Sequence, residues 1–303
     1  MRSGESSAQA AQSDYKKRVL RVLVHIQQHL DEPLELDDLA RVACFSPYHF
    51  HRIFTGMTGE SVKAHIRRLR LERAAWQLKH GRLPVLDIAL AAGYESHEAF
   101  TRAFQAAFAM APSRYRSASG ALHALLTPSR VHWERLNFRL NRAGLNAMNV
   151  QIKTVNPMRV AFMRHAGPYN EAGDTWEKLC LALGKEGLIG GDSQFIGVSY
   201  DDPEVTPPDK IRYDACITVN ERFAAAGDIG VQTLPGGLYA MTTHFGPYDG
   251  LAKTYSRLFG QWLPRSGRRL GPGPCFESYL NSPENTEPED LLTDVYLPLE
   301  PNS

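Results

Sequence analysis

Apolar positions return at helical spacing between Tyr15 and Leu30, at Val19, Leu20, Leu23, Ile26 and Leu30, and Asp31-Glu32-Pro33 stops the pattern. The next stretch carries one pattern twice. Residues 36–54 read LDDLARVACFSPYHFHRIF and residues 85–104 read VLDIALAAGYESHEAFTRAF. Ser46, Phe50, Arg52 and Phe54 match Ser96, Phe100, Arg102 and Phe104. Each copy predicts a short apolar helix, a tight turn and a second helix opening at a serine, which is the shape of a helix-turn-helix. Ser46 and Ser96 are N-caps, because a hydroxyl accepts from the unpaired N–H groups of the first turn. Pro47 sits at the first helical position, where its missing N–H costs nothing. Glu98 suits the positive end of its helix. Between the copies, Val62 to Lys79 predicts one helix of about 27 Å, ended by Gly81 and Pro84. The second copy turns at Gly93, where a left-handed backbone is easy. The first has Cys44 there, so that position is strained or the turn differs, and Cys44 is expected as a small buried residue.

The segments SPYHFHRIF and GYESHEAFTRAFQAAFAMAPSRYR resemble the DNA-binding domain of the AraC/XylS family of transcription regulators, over roughly residues 15–116. The resemblance implies two reading heads joined by the long helix, near successive major grooves about 34 Å apart. Tyr48, His51 and Arg52 share a helix face, and arginine can bridge two acceptors on guanine. The resemblance makes them base-contact candidates, with His97, Glu98, Thr101 and Arg102 on the matching face of the second head. Glu98 departs from the usually neutral residue there and would repel phosphate. Phe50 and Phe54 are core, and His49 faces inward or toward the turn. Arg67, Arg68, Arg70 and Arg73 on the long helix, with Arg114 and Arg116, are phosphate candidates beside the alternative of a solvated charged face.

A second repeat fills the C-terminal half. HAGPYNEAGDTWEKL at 165–179 returns as HFGPYDGLAKTYSRL at 244–258, displaced by 79 positions. MRVAFMRH mirrors GLYAMTTH, FIGVSYDDP mirrors PCFESYLNSP, and RYDACITV mirrors LTDVYLPL, the offset growing to 80. Each unit reads strand, Gly-Pro turn, helix, strand, loop, strand, with a leading strand at 150–154 and its mate at 231–234. Two such units pair as a pseudo-two-fold α+β domain, since one alone buries too little. Aligned this way, Glu277 stands where the first unit has Val198. A carboxylate in mid-strand is expensive unless it faces a polar pocket. Tyr169, Trp176, Tyr200, Tyr248, Tyr255, Tyr279 and Tyr296 surround the motif, and rings with one acid suit a lipophilic cation. The alternative has Tyr169 and Tyr248 stabilising the Gly-Pro turns and Trp176 and Tyr255 in the helix core. His165 and His244 occupy equivalent strand ends, a symmetry that argues for structure over a metal. The repeated GPY and the late FESYLN resemble the GyrI-like effector domain, in which the acid matching Glu277 lines the ligand groove.

Charge sharpens the division. Residues 1–149 hold 21 Lys/Arg against 13 Asp/Glu, and residues 150–303 hold 13 against 20, so +8 faces −7. A basic N-terminal half suits a phosphate backbone, and an acidic C-terminal half suits neutral or cationic small partners. Cys44, Cys180, Cys216 and Cys275 form no CxxC pair and are expected as reduced thiols. No run of eighteen apolar residues predicts a membrane helix.

The expected architecture is multidomain. A disordered tail (1–14) precedes an all-α double helix-turn-helix domain (15–116), a basic linker (117–149) and an α+β tandem-repeat domain (150–303). Trp133 in the linker docks on one domain or the other, and VHWERLNFRL forms a short helix or strand. The expected function is a cytoplasmic, ligand-responsive transcription regulator. Its partners would be double-stranded promoter DNA, a small apolar or cationic effector and RNA polymerase, with no cofactor, metal, catalytic residue or membrane. The alternative is a GyrI-like hydrolase of reactive electrophiles, with Glu277 activating water.

Overall fold

The computed structural model describes residues 2–118, 125–133, 135–136, 148–203 and 206–301. One compact unit is Ser13–Ala143, and the other is Gly144–Ser303 together with Met1–Gln12.

The first unit is helical: α1 (Arg2–Gln28) from Ser13 onward, α2 (Leu36–Ala43), α3 (Pro47–Thr58), α4 (Val62–His80), α5 (Val85–Ala91), α6 (His97–Phe108) and α7 (Pro112–Ser117). Helix α1 begins at Arg2, so the segment expected as a disordered tail continues the helix that carries Tyr15. Its apolar stripe, Val19, Val22, Leu23 and Ile26, is buried, as are Leu30 just beyond the helix and Phe50, Ile53, Phe54, Phe100 and Phe104 of the two heads. The serine caps form as the sequence implies, Ser46 accepting from the His49 N–H at 3.3 Å and Ser96 from the Ala99 N–H at 3.1 Å.

The two turns are the same turn. In the first, the N–H groups of Cys44 and Phe45 donate to the carbonyls of Arg41 and Ala40; in the second, those of Gly93 and Tyr94 donate to Leu90 and Ala89. This closing pattern needs a left-handed residue at its centre. Gly93 adopts it at φ 81° and Cys44 at φ 55°. A side chain in that conformation costs roughly 1–2 kcal/mol. Cys44 is also exposed rather than buried, because a residue at the tip of a helix turn points to solvent.

Part of the expected linker belongs to this unit. Residues 131–132 (β1) and 135–136 (β2) pair as a minimal antiparallel ribbon, so the start of VHWERLNFRL is strand. Ser129 and Val131 are fully buried. Of the arginines that make the linker basic, Arg130, Arg135, Arg139 and Arg142, the last two lie outside the described residues.

The second unit is built on β3 (Gln151–Val155), β4 (Met158–Ala166), α8 (Gly173–Lys185), β5 (Phe195–Ser199), β6 (Arg212–Thr218), β7 (Gly230–Leu234), β8 (Gly237–Phe245), α9 (Leu251–Arg257), β9 (Phe276–Tyr279) and β10 (Leu292–Leu299). The eight strands form one antiparallel sheet in the order β3-β8-β10-β9-β5-β6-β4-β7. The order shows the repeat and an exchange within it. The leading strand of each repeat pairs with the other repeat, β3 with β8 and β7 with β4, and the two units meet where β5 pairs β9. Exchanged strands and a shared centre make the halves inseparable, which is why neither stands alone. Apolar residues of α8, Leu179 and Leu183, pack on one face of the sheet with Ala161, Ala215 and Ile217. Val160, Ile196, Val198, Cys216 and Phe276 cluster on the other.

Candidate functional site

The reading helices present unequal surfaces. On α6, His97, Glu98 and Arg102 are exposed and Thr101 is half-buried. On α3, Tyr48 is half-buried, while His51 and Arg52 are only 2% and 8% exposed. The Arg52 guanidinium lies 4.5 Å from the Tyr48 ring centre, and the His51 Nε2 lies 3.5 Å from the Thr55 hydroxyl. Burial, and then the positive charge of Arg52, push His49 down to a pKa of about 4, so its ring is neutral near pH 7.

Three of the four arginines on α4 are occupied with structure. Arg68 holds Glu60 through Nε at 3.0 Å and Nη2 at 2.6 Å, and Glu72 through Nη1 at 3.1 Å. Arg70 donates to the carbonyls of Leu30 and Glu32. Its guanidinium also lies against Gly93, where an added Cβ would come within 2.7 Å of Nη1. Arg73 pairs with Asp31 at 2.7 Å and donates to the Ala91 carbonyl. A guanidinium engaged on acceptors of its own fold has little left for phosphate, so these three are read as structural residues. Arg67 is exposed, as is Arg114, while Arg116 donates to the Leu83 carbonyl.

The carboxylates that Arg68 gathers also hold the linker. Glu60 accepts from the Thr127 hydroxyl at 3.1 Å. Glu72 accepts from the Trp133 N–H at 2.9 Å and lies 3.0 Å from the His132 ring. Gln27 of α1 donates to the His132 carbonyl at 2.8 Å, and Trp133 packs on Trp76 at 5.5 Å between ring centres. Trp133 therefore docks on the long helix of the helical unit.

In the second unit, strand alternation sorts the candidate rings onto two faces. Glu277 lies on the helix-covered face at the centre of the sheet, 3% exposed. Its Oε1 accepts from the Tyr255 hydroxyl at 2.6 Å and the Ser199 hydroxyl at 3.3 Å, and its Oε2 from the Tyr279 hydroxyl at 3.4 Å. The Tyr279 and Tyr213 hydroxyls are 2.9 Å apart, and the Trp176 indole N–H donates to Tyr213 at 3.1 Å. Tyr169 packs on Tyr213 at 5.7 Å, and Tyr248, exposed at the margin, on Tyr279 at 5.3 Å. Burial first, and then the neighbouring Glu277 carboxylate, push the Tyr213 phenol well above its ordinary pKa. Burial likewise raises Tyr279, with Tyr213 and Glu277 adding to it. Both therefore stay neutral hydroxyls.

Tyr200 and Tyr296 are not part of this cluster. Tyr200 follows Ser199 and points to the opposite face, donating to Asp214 at 2.9 Å. Tyr296 stacks on Phe276 at 4.4 Å, and Phe276 precedes Glu277 on the strand. The alignment of the repeats also shifts by one. Glu277 pairs with Val295, and Gly197 pairs with Ala215, so the counterpart of Glu277 is Gly197 rather than Val198. The two face each other directly across the β5–β9 ladder. Gly197, Ser199 and Tyr213 thus lie in the cluster around Glu277, which the sequence pattern did not reveal.

The histidines at the strand ends are structural. His165 and His244 each place Nε2 about 3 Å from the carbonyl of the turn proline, at 3.1 Å from Pro168 and 3.0 Å from Pro247. Nδ1 faces the hydroxyl of Thr175 or Thr254 on the following helix.

A buried acid ringed by phenols on the pseudo-two-fold of a swapped-strand repeat has a match in sequence. Residues 148–300 match the GyrI-like small molecule binding domain. The chain belongs to that family. Residues 39–118 match a helix-turn-helix domain of the AraC type. The chain is 42% identical over 95 residues to the Right origin-binding protein of Escherichia coli K12, covering 31% of this chain and 33% of that protein. It thus spans about a third of the length of that relative. It is 38% identical over 109 residues to the probable transcriptional regulator YgiV of the same organism, covering 35% of this chain and 68% of YgiV. Among solved structures, the C-terminal domain of EcmrR aligns with a TM-score of 0.42 at 22% identity, over 50% of this chain and 98% of that one. The matched residues take in both copies of the strand–helix–strand–strand unit.

Proposed function

We propose that this GyrI-like protein is a cytoplasmic, ligand-responsive transcription regulator. Its α3 and α6 read promoter DNA, and its Glu277 cluster binds a small lipophilic cation. The observation that carries the effector reading is the placement of Glu277: a carboxylate at the pseudo-two-fold, 3% exposed, held by neutral hydroxyls and bordered by Trp176, Tyr169 and Tyr248. A cation entering among these rings meets both an opposite charge and aromatic faces, in a site where water screens little. Exposed His97 and Arg102 on α6, with Arg67 and Arg114 for phosphate, support the DNA reading. Its relatives, a right origin-binding protein and a probable transcriptional regulator, support the same reading. Regulation requires that the cation favour one arrangement of the chain over another. RNA polymerase is the further partner this reading calls for.

The test is selection of a DNA site from random duplexes, followed by titration of that site with and without tetraphenylphosphonium. A site spanning two adjacent major grooves, bound by one chain with an affinity that the cation changes, supports the proposal. A selected site whose affinity ignores every bound cation would remove the regulatory link. Turnover of an ester or epoxide panel by the wild type, abolished in Glu277→Gln, would favour the hydrolase.

A further inference from the structure

The internal repeat lets one half of the second unit serve as a control for the other. On the sheet face opposite Glu277, the end of repeat one carries a row of Ala166, Arg212 and Tyr200, joined by the Ala166–Arg212 pair and the Tyr200 N–H to Arg212 carbonyl bond. Beside it lies Asp214, fully buried, gripped by Arg164 at 2.7 and 2.9 Å, with the Arg164 guanidinium 5.0 Å from the Tyr200 ring. Arg212 pairs with Asp201 at 2.9 Å. This end of the sheet is closed by its own charges.

The same positions in repeat two are built differently. Phe245 replaces Ala166, Leu292 replaces Arg212, Leu280 replaces Tyr200, Thr243 replaces Arg164 and Asn281 replaces Asp201, as the pairs Leu292–Phe245 and Asp294–Thr243 and the Leu280 N–H to Leu292 carbonyl bond show. Only the acid is kept: Asp294 stands where Asp214 does. It accepts from the Thr243 hydroxyl at 2.6 Å in place of a guanidinium, and it is 8% exposed. Phe245 is 73% exposed and Leu280 52%, so the row Phe245–Leu292–Leu280 is an apolar strip open to solvent. Exposed apolar rows of this kind, next to polar groups, mark contact surfaces. The stretch of sequence that carries Leu280 and Leu292 has one sign. From Leu270 to Ser303 there is no Lys, Arg or His, against Glu277, Glu284, Glu287, Glu289, Asp290, Asp294 and Glu300. The loop between Leu280 and Leu292 carries four of these acids, all exposed.

We propose that this strip docks a protein segment that presents an arginine between apolar side chains. The apolar groups cover Phe245, Leu292 and Leu280, and the arginine takes beside Asp294 the place that Arg164 takes beside Asp214. Repeat one shows that the backbone at this position accommodates a guanidinium on its aspartate. The acids of the 280–292 loop argue against the simplest rival, a second copy of the strip, since each copy would bring the same negative charge. A partner of opposite charge also associates faster, in a salt-dependent way.

The test uses the full-length protein. Random dodecapeptides displayed on phage are selected on the wild type and counter-selected on the double variant Phe245→Ser/Leu280→Ser. The enriched peptides are then made with a fluorophore and titrated by anisotropy. The expected result is enrichment of peptides with arginine among apolar residues. Their affinity should fall at least tenfold on the double variant, on Asp294→Asn, and when citrulline replaces the arginine, while the melting temperatures of the variants stay at the wild-type value. Failure to enrich over the counter-selection overturns the proposal, as does binding indifferent to Asp294 and to the arginine. Sedimentation equilibrium supplies the remaining arm. Self-association that the double variant abolishes would assign the strip to a second copy and contradict the proposal.

Discussion

Gly197 and Glu277 face each other across the middle of the sheet, and the glycine is what makes room for the acid. A Cβ at Gly197 would lie 2.5 Å from both the Tyr213 and Tyr279 hydroxyls and 2.8 Å from Glu277 Oε2. The two residues are counterparts under the repeat, so the pseudo-two-fold is broken in a complementary way: one side supplies the carboxylate and the other the space.

Gly197→Ala should therefore disturb the site without touching any group that binds. Forcing a methyl into a packed cluster costs about 1–3 kcal/mol, measured by urea unfolding. The same variant should lose cation binding, because the phenols that orient Glu277 must move. Wild-type stability in this variant would mean the cluster yields freely and is not preorganised.

Arg68 and Arg67 are neighbours on α4 with opposite roles. Arg68→Ala removes the guanidinium that joins the two acids, leaving Glu60 to His65 and Thr127 and Glu72 to His132 and the Trp133 N–H, and should destabilise the helical unit by about 1.5–3 kcal/mol. Arg67→Ala should leave the unfolding curve unchanged, weaken DNA binding alike for all sequences, and lower the salt dependence by about one counterion. Denaturant titration and anisotropy at several salt concentrations separate the two.

The same network predicts a pH dependence. Burial opposes ionisation of Glu60, but the hydrogen bonds from His65 and Arg68 outweigh it and bring the carboxyl down to about 2, from an ordinary 4.5. A depressed carboxyl contributes stability that is complete above its unfolded value and is lost as pH falls through its folded one. The wild type should thus lose on the order of 3 kcal/mol between about pH 5 and pH 2 through this group. Glu60→Gln should flatten that part of the curve. An identical acid limb in the variant would show that Glu60 is not held this way.

The docked linker sets the length of the independent DNA-binding unit. A fragment ending at residue 136 keeps Thr127, His132 and Trp133 on Glu60, Glu72 and Trp76, and should melt higher than one ending at residue 118. Equal melting temperatures would make the docking incidental. In either fragment, Arg102→Ala should cost about 1–3 kcal/mol at the selected site and relax its sequence preference.

Much of the architecture was legible because it rests on local rules. Serine caps, the repeated turn and the apolar stripes name their own elements, and they place the two heads and the long helix correctly. The second repeat declared itself through GPY and the spacing of its histidines. What failed did so for reasons of space. The offset between repeats grows from 79 to 80 between the helix and the last strands, so counting residues assigned Val198 to Glu277 where strand pairing assigns Gly197. That single step also aligned Tyr200 with Tyr279 and so set it on the wrong face, since alternate residues of a strand point apart, while Tyr296 was grouped with the motif only as a nearby ring. Arg68, Arg70 and Arg73 read as phosphate contacts or a solvated face because composition cannot show that their acceptors, Glu60, Glu72, Asp31 and three carbonyls, lie in the same fold. Cys44 read as buried because its thiol suggested a core residue, whereas the turn closed by Ala40 and Arg41 holds it outside.

The central claim, that Glu277 makes the second unit a receptor for lipophilic cations, is tested most directly by calorimetric titration of wild type and Glu277→Gln. The ligands are tetraphenylphosphonium and tetraphenylborate, which share a shape and differ in sign. The account predicts that the wild type binds the cation and not the anion, and that Glu277→Gln loses at least tenfold for the cation with an unchanged melting temperature. Equal binding of both ions by the wild type, or equal affinity of wild type and variant for the cation, would contradict it.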